Sequence, residues 1–144
     1  MEIVGVRGIS RYVEKDLVYA YLIKADYVAQ GVEFVTDEQS EFQLGIMTRG
    51  LETPVSAHMH NRIDRVVHTT SEYLYFRSGS AKVSLRSSQN ADPVRIDLDT
   101  GDSILFTGIG IHSILFAEGT QLIEIKQGPF DPSLDKVYLS HLEE

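Results

Sequence analysis

The chain reads as an all-β protein, an antiparallel sandwich or barrel. Two observations predict this. Short runs rich in Val, Ile, Leu, Tyr and Phe recur along the chain with turn residues between them. No stretch sustains the 3.6-residue periodicity of an amphipathic helix.

Residues 4–7, 17–23 and 31–36 give the first strand-like runs, β-branched and aromatic in composition. Residues 37–41 are a polar turn, and 42–48 resume a strand that Gly50 closes. No linker follows, so residues 1–49 add strands to one sheet of a single domain spanning 1–144. Further strands are expected at 72–77, 80–86, 93–98, 103–107, 111–117 and 120–127. The turns between them fall at Ser78-Gly79, 87–93, 99–102 and Glu118-Gly119. The tail, 128–144, begins with prolines that exclude a central strand, although 137–139 fit a last edge strand.

Hydrophobic residues make up 42% and charged residues 24%, a globular composition. Cysteine is absent, which removes disulfides, thiolate nucleophiles and Cys-based zinc or iron–sulfur sites and fits a reducing compartment. Thirteen basic against 21 acidic residues leave a net charge of −8, a surface that repels phosphate backbones, so nucleic acid is not expected as a partner. No apolar run approaches the ~20 residues that span a bilayer, and the first residues lack a charged n-region followed by an apolar h-region. No membrane partner is expected, and a cytoplasmic location is the default.

The chemistry-bearing stretch runs from Gly50 to Gly79 and holds His58-Met-His60. On a strand, residues two apart face the same way, so both imidazoles point together from Cα atoms about 6–7 Å apart. Glu72 opens the next run, and the turn Thr107-Gly-Ile-Gly-Ile111 delivers His112. Three imidazoles and one carboxylate suit a divalent transition metal with open coordination positions, and leave Fe, Mn, Ni, Co, Cu and Zn all eligible. If Glu72 faces inward, Leu74 and Phe76 do too, which makes Phe76 a candidate substrate contact; His112 shares its face with Ile114 and Phe116. Asp64 and His68 are alternative ligands should Glu72 be displaced. Arg62 and Arg65 are candidates for binding an anionic substrate. In 121–127, Ile123 and Ile125 alternate with Glu124 and Lys126, the pattern of a half-buried strand with its charged residues in water.

The ordered pair of motifs, P-x-x-H-x-H…E-x6-G and G-D…T-G-I-G-I-H, resembles that of the cupin superfamily. The match falls on Pro54, His58, His60, Glu72 and Gly79, then on Gly101, Asp102 and His112, and covers roughly residues 42–127. Eleven residues lie between His60 and Glu72, where the family usually has three or four, so residues 61–71 look like an insertion. Thr107 and Ile109 stand where the second motif usually has proline and glycine. The resemblance implies an antiparallel jelly-roll barrel (a double-stranded β-helix) of the small, single-domain, RmlC-like type. It also implies a metal held by His58, His60, Glu72 and His112, with residues 50–127 as the barrel.

Three functions are compatible with these residues. The first is a metal-dependent enzyme acting on a small polar substrate, carbohydrate or carboxylate, as isomerase, lyase or dioxygenase. The second is a metal-independent sugar-nucleotide epimerase or isomerase with a histidine base. The third is a non-catalytic small-molecule binding module. A homodimer is expected from the exposed sheet edges and the β-forming N-terminal stretch. The insertion, rich in β-branched residues, is expected to lengthen the strands carrying His60 and Glu72 into a hairpin.

Overall fold

The β-branched and aromatic runs become strands nearly where the pattern puts them. The computed structural model describes residues 1–51 and 54–142. Glu52 and Thr53, inside the motif-bearing stretch, and Glu143 and Glu144, at the end of the tail, lie outside the described residues. The strands are β1 (Glu2–Val6), β2 (Ile9–Glu14), β3 (Leu17–Ile23), β4 (Val32–Phe34), β5 (Gly45–Met47), β6 (Glu72–Ser78), β7 (Ser80–Arg86), β8 (Val94–Asp99), β9 (Ser103–Phe106), β10 (Ile111–Phe116) and β11 (Gln121–Lys126). Strand β2 was not expected, because Ile9-Ser-Arg-Tyr-Val-Glu14 lacks clean alternation; it forms by pairing with β1 on one side and β3 on the other. The described residues include no α-helix, and therefore none long and apolar enough to cross a membrane. Residues 137–139 form no edge strand; one 3-10 turn, Ser140–Leu142, follows them.

The chain divides into two compact units, residues 1–27 with 69 onward, and residues 28–68. In the first, two antiparallel sheets form, ordered β1-β2-β3-β9-β6-β11 and β10-β7-β8. Residues 1–23 thus extend one sheet through β3, which lies beside β9. One apolar cluster draws on both sheets: Leu22, Leu74, Phe76, Ile104 and Phe106 from the larger, and Val83, Leu85, Ile96 and Leu98 from the smaller. Along β6, β7 and β8 these residues fall two apart, as strand alternation requires.

The second unit holds the hairpin β4–β5. Its loop is organised by Gln43, whose amide donates to the carbonyls of Asp37 at 2.8 Å and Ser40 at 3.1 Å, while Leu44 N donates to Thr36 Oγ1 at 3.0 Å. Residues 54–68 form no strand, so the long hairpin expected there is not present. Backbone in that stretch makes no ladder, and β-propensity alone does not supply a partner strand.

The Gly101-Asp102 turn between β8 and β9 is structural. Asp102 is 1% exposed. It accepts hydrogen bonds from Ala25 N and Asp99 N, each at 2.9 Å, and pairs with the Lys24 ammonium. Gly101 sits at φ 87°, and a Cβ there would lie 2.8 Å from the Ala25 Cβ, so only glycine fits. Asp102→Ala would strand two backbone donors and the ammonium. It is expected to destabilise the protein by roughly 3 kcal/mol, against about 1 kcal/mol for Lys24→Met, both measured by urea denaturation.

Candidate functional site

Glu72 and His112 come from different sheets and meet at one cavity. Glu72 stands at the start of β6, opposite Phe106 of β9 on one side and Lys126 of β11 on the other. Alternation buries Glu72, Leu74 and Phe76 and leaves Tyr75 and Arg77 exposed, as the sequence predicts. His112 enters β10 directly after a turn in which Gly110 has φ 82°. A Cβ at Gly110 would fall 2.6 Å from Tyr19 Cδ1 and 2.7 Å from the Arg86 carbonyl, so the approach to His112 depends on that glycine. The imidazole lies flat on Phe106, centroids 4.0 Å apart and planes 5° apart, with its Nε2 3.1 Å from Glu72 Oε2. One contact fixes the plane of the ring and the other its rotation within that plane.

The cavity has a volume of about 530 Å³, within the usual range for small-molecule sites. Leu74, Ile114, Phe116 and Leu122 supply apolar wall, and Glu72, His112, Glu124, Lys126, Asp135 and Lys136 bring charge to the same space. Lys126 Nζ lies 3.3 Å from Glu124 and 3.9 Å from Asp135, and 4.5 Å over the Phe130 ring. Asp135 Oδ1 accepts from Thr70 Oγ1 at 3.1 Å, while its Oδ2 is buried without a hydrogen-bond donor among the described residues. Lys136 Nζ stands 3.7 Å from Glu72 Oε1.

These neighbours set the ionisation of the carboxyl groups. The His112 hydrogen bond, followed by hydrogen bonding to Glu124 and the positive charges of Lys136 and His112, lowers Glu72 to about 2 against the opposing effect of burial. Glu124 moves the other way, raised first by its hydrogen bond to Glu72 and then by burial, with Lys126 opposing. The two carboxyls are thus pushed in opposite directions, and Glu72 is the one that ionises first.

Of the residues singled out in the sequence, the structure brings Glu72 and His112 together. His58 and His60 lie in the second unit, both exposed, with ring centroids 5.2 Å apart and planes at 81°; His58 Nδ1 is 2.8 Å from the Ser56 carbonyl. Arg62, Asp64, Arg65 and His68 are exposed in that unit too, and His68 N donates to the Glu41 carboxylate at 3.3 Å. No group of three or more His, Cys, Asp or Glu is arranged to hold a metal among the described residues. Phe76 is 0% exposed and packs in the core, centroid 6.4 Å from Phe116, and is not among the residues that line the cavity.

Sequence reasoning missed Glu124, Lys126, Asp135 and Lys136. It put Ile123 and Ile125 inside and the charged residues of β11 in water; in the structure both isoleucines are exposed, while Leu122, Lys126 and the still exposed Glu124 line the cavity. The reason is register. Leu122, Glu124 and Lys126 pair with Phe76, Leu74 and Glu72, and residues directly opposite in an antiparallel pair share a face. The inward parity of Glu72 therefore fixes that of β11, a signal readable only once the pairing is known. Asp135 and Lys136 sit in an irregular tail that carries no periodic signal.

Comparison with protein-family models, with curated proteins and with solved structures gives no match.

The carboxyl pair predicts a pH signature. Glu72 is lowered from 4.5 to about 2, so its ionised form stabilises the fold fully above pH 4.5, and the contribution is lost as pH falls through about 2. Glu72→Gln is expected to be less stable than wild type at neutral pH, with the gap closing across that acid window in thermal melts. Glu124 is raised, so its ionisation weakens the fold as pH rises above the ordinary 4.5. Glu124→Gln should therefore gain on wild type from pH 4.5 upward.

Proposed function

We propose that this protein is a cupin-type metal-binding enzyme acting on a small polar substrate in the cavity of Glu72 and His112. The observation that carries the reading is the 3.1 Å contact of those two side chains, one from each sheet, at a cavity of about 530 Å³. The pattern of pairing favours the jelly roll. Strand β7 pairs with β8, β6 with β9 outside them, and β11 and β10 flank β6 and β7. A long hairpin rolled on itself gives this nesting.

In this proposal His58 and His60 join Glu72 and His112 as ligands. The donor chemistry fits: an imidazole and an ionised carboxylate already adjoin, and the His58 and His60 rings lie within 5.2 Å of each other. A divalent transition metal bound there would supply Lewis-acid polarisation of a carbonyl or hydroxy-ketone oxygen. The chain's own groups do the rest. Phe106 and Glu72 hold the His112 ring in one orientation, and the apolar wall of Leu74, Ile114 and Phe116 keeps water from one side of a ligand.

A second reading, a sugar-nucleotide epimerase or isomerase without metal, draws on the same contact, because a histidine base needs an orienting carboxylate. Sugar-nucleotide turnover that survives chelation and disappears in His112→Ala would select it. We also propose a homodimer formed along β1, which exposes Ile3, Val4 and Val6 and carries neither proline nor lysine to block strand addition. Light scattering should give twice the chain mass for wild type and the chain mass for Val4→Pro.

Elemental analysis of protein purified without added metal tests the principal reading. Close to one transition-metal ion per chain is expected, lost in His58→Ala, His60→Ala or His112→Ala, and released in acid as protons compete for the imidazoles. Full occupancy in the His58→Ala, His60→Ala double variant would sink the four-ligand assignment.

A further inference from the structure

We infer that Lys136 is the anion-binding residue of this cavity and that its ligand is a small monocarboxylate carrying a hydroxyl or keto oxygen beside the carboxyl group. The inference rests on the reading of the Glu72–His112 cavity as the substrate site. Arg86, Lys126 and Lys136 are the lysines and arginines that line it. Lys126 is committed: its side chain is 18% exposed, held between Glu124 and Asp135 and laid over Phe130. Arg86 donates to the Ala91 carbonyl at 2.8 Å and braces the loop after β7. Lys136 differs from both. Its side chain is 43% exposed and its ion pair to Glu72, at 3.7 Å, is longer than an N–H···O hydrogen bond. An ammonium has three donors, so Lys136 can engage a ligand without giving up a hydrogen bond.

The stem of Lys136 is nevertheless well placed. Asp135, its neighbour, is pinned by Thr70 at 3.1 Å, and its backbone N–H donates to the Asp131 carbonyl at 2.9 Å. Glu72 keeps His112 as a hydrogen-bonded partner, at 3.1 Å, when Lys136 turns to a ligand. Charge also selects the ligand. Glu72, Glu124 and Asp135 line the same cavity, so a dianionic phosphate meets more repulsion than a monocarboxylate. Lys136 Nζ and His112 Nε2 adjoin the two oxygens of the same Glu72 carboxylate, at 3.7 Å and 3.1 Å. A ligand with its carboxylate on Lys136 and an adjacent oxygen on His112 therefore spans neighbouring groups of one cavity, which Leu74, Ile114 and Phe116 also line.

Calorimetric titration with 2-hydroxybutyrate, its neutral amide and inorganic phosphate tests the inference on the full chain. Wild type should bind the carboxylate, with the amide and phosphate at least about tenfold weaker. Lys136→Met should weaken carboxylate binding on the order of tenfold, and Lys136→Arg should restore most of it. Lys126→Met, which removes a structural contact, should lower thermal stability more than Lys136→Met does. Equal carboxylate binding in wild type and Lys136→Met, no carboxylate binding in wild type, or phosphate binding as tight as the carboxylate would each overturn the inference. Metal content measured on the same samples separates the two readings. Lys136→Met that keeps its metal but loses the carboxylate supports the inference. Wild type that binds the carboxylate without metal overturns the metal-centre proposal and leaves the anion assignment standing.

Discussion

Strand β6 carries the constraint on which the rest depends. It is hydrogen-bonded on both sides, to β9 and to β11, so its alternation cannot slip without moving two neighbours. A slip of one residue would drive Tyr73 and Tyr75 into the core and turn Leu74 and Phe76 out of it. The alternation that buries those apolar residues also turns Glu72 inward. Its carboxylate is therefore placed by packing and must find partners in the cavity, because a buried charge without them is strongly disfavoured. His112 on the opposite sheet, Glu124 from the neighbouring strand and Lys136 from the tail supply them.

The cavity that results is neither dry nor uniformly charged. Its apolar wall comes from the inward positions of β6, β10 and β11, and its polar part from one end of the same strands and from the tail. Glu72 and Glu124 are shifted in opposite directions by each other, and Lys136 and Lys126 lie beside them, at 3.7 Å and 3.3 Å. Two cations of the same type thus have different standing: one is enclosed by acceptors and an aromatic face, the other stands at the rim. Accessibility and pairing, rather than charge, separate a structural lysine from one available to a ligand.

The turns matter as much as the strands. Asp102 ties the β8–β9 turn to the chain after β3, and Gly110 lets the chain pass close to Tyr19 before His112. Both lie in the second of the two sequence motifs, and each has a local steric or hydrogen-bonding reason to be the residue it is.

By itself the sequence determined the all-β class, the positions of the strands from Glu72 onward to within a residue or two, and the inward face of β6, since the two-residue period is a local property of an extended chain. It also picked out Glu72, at the head of a run that Gly79 ends, and His112, which the Gly108–Gly110 turn delivers. Tertiary structure alone decided which face of β11 turns inward, because Leu122, Glu124 and Lys126 take their orientation from their partners on β6 and not from their own pattern. It decided that Phe76 is core and not cavity wall, a distinction between two inward positions of one strand that depends on what the other sheet places above them. It also brought Asp135 and Lys136 of the irregular tail to the site. Contacts between residues more than 60 positions apart, such as Thr70 with Asp135 and Glu72 with Lys136, have no local signature, and only the folded chain can make them.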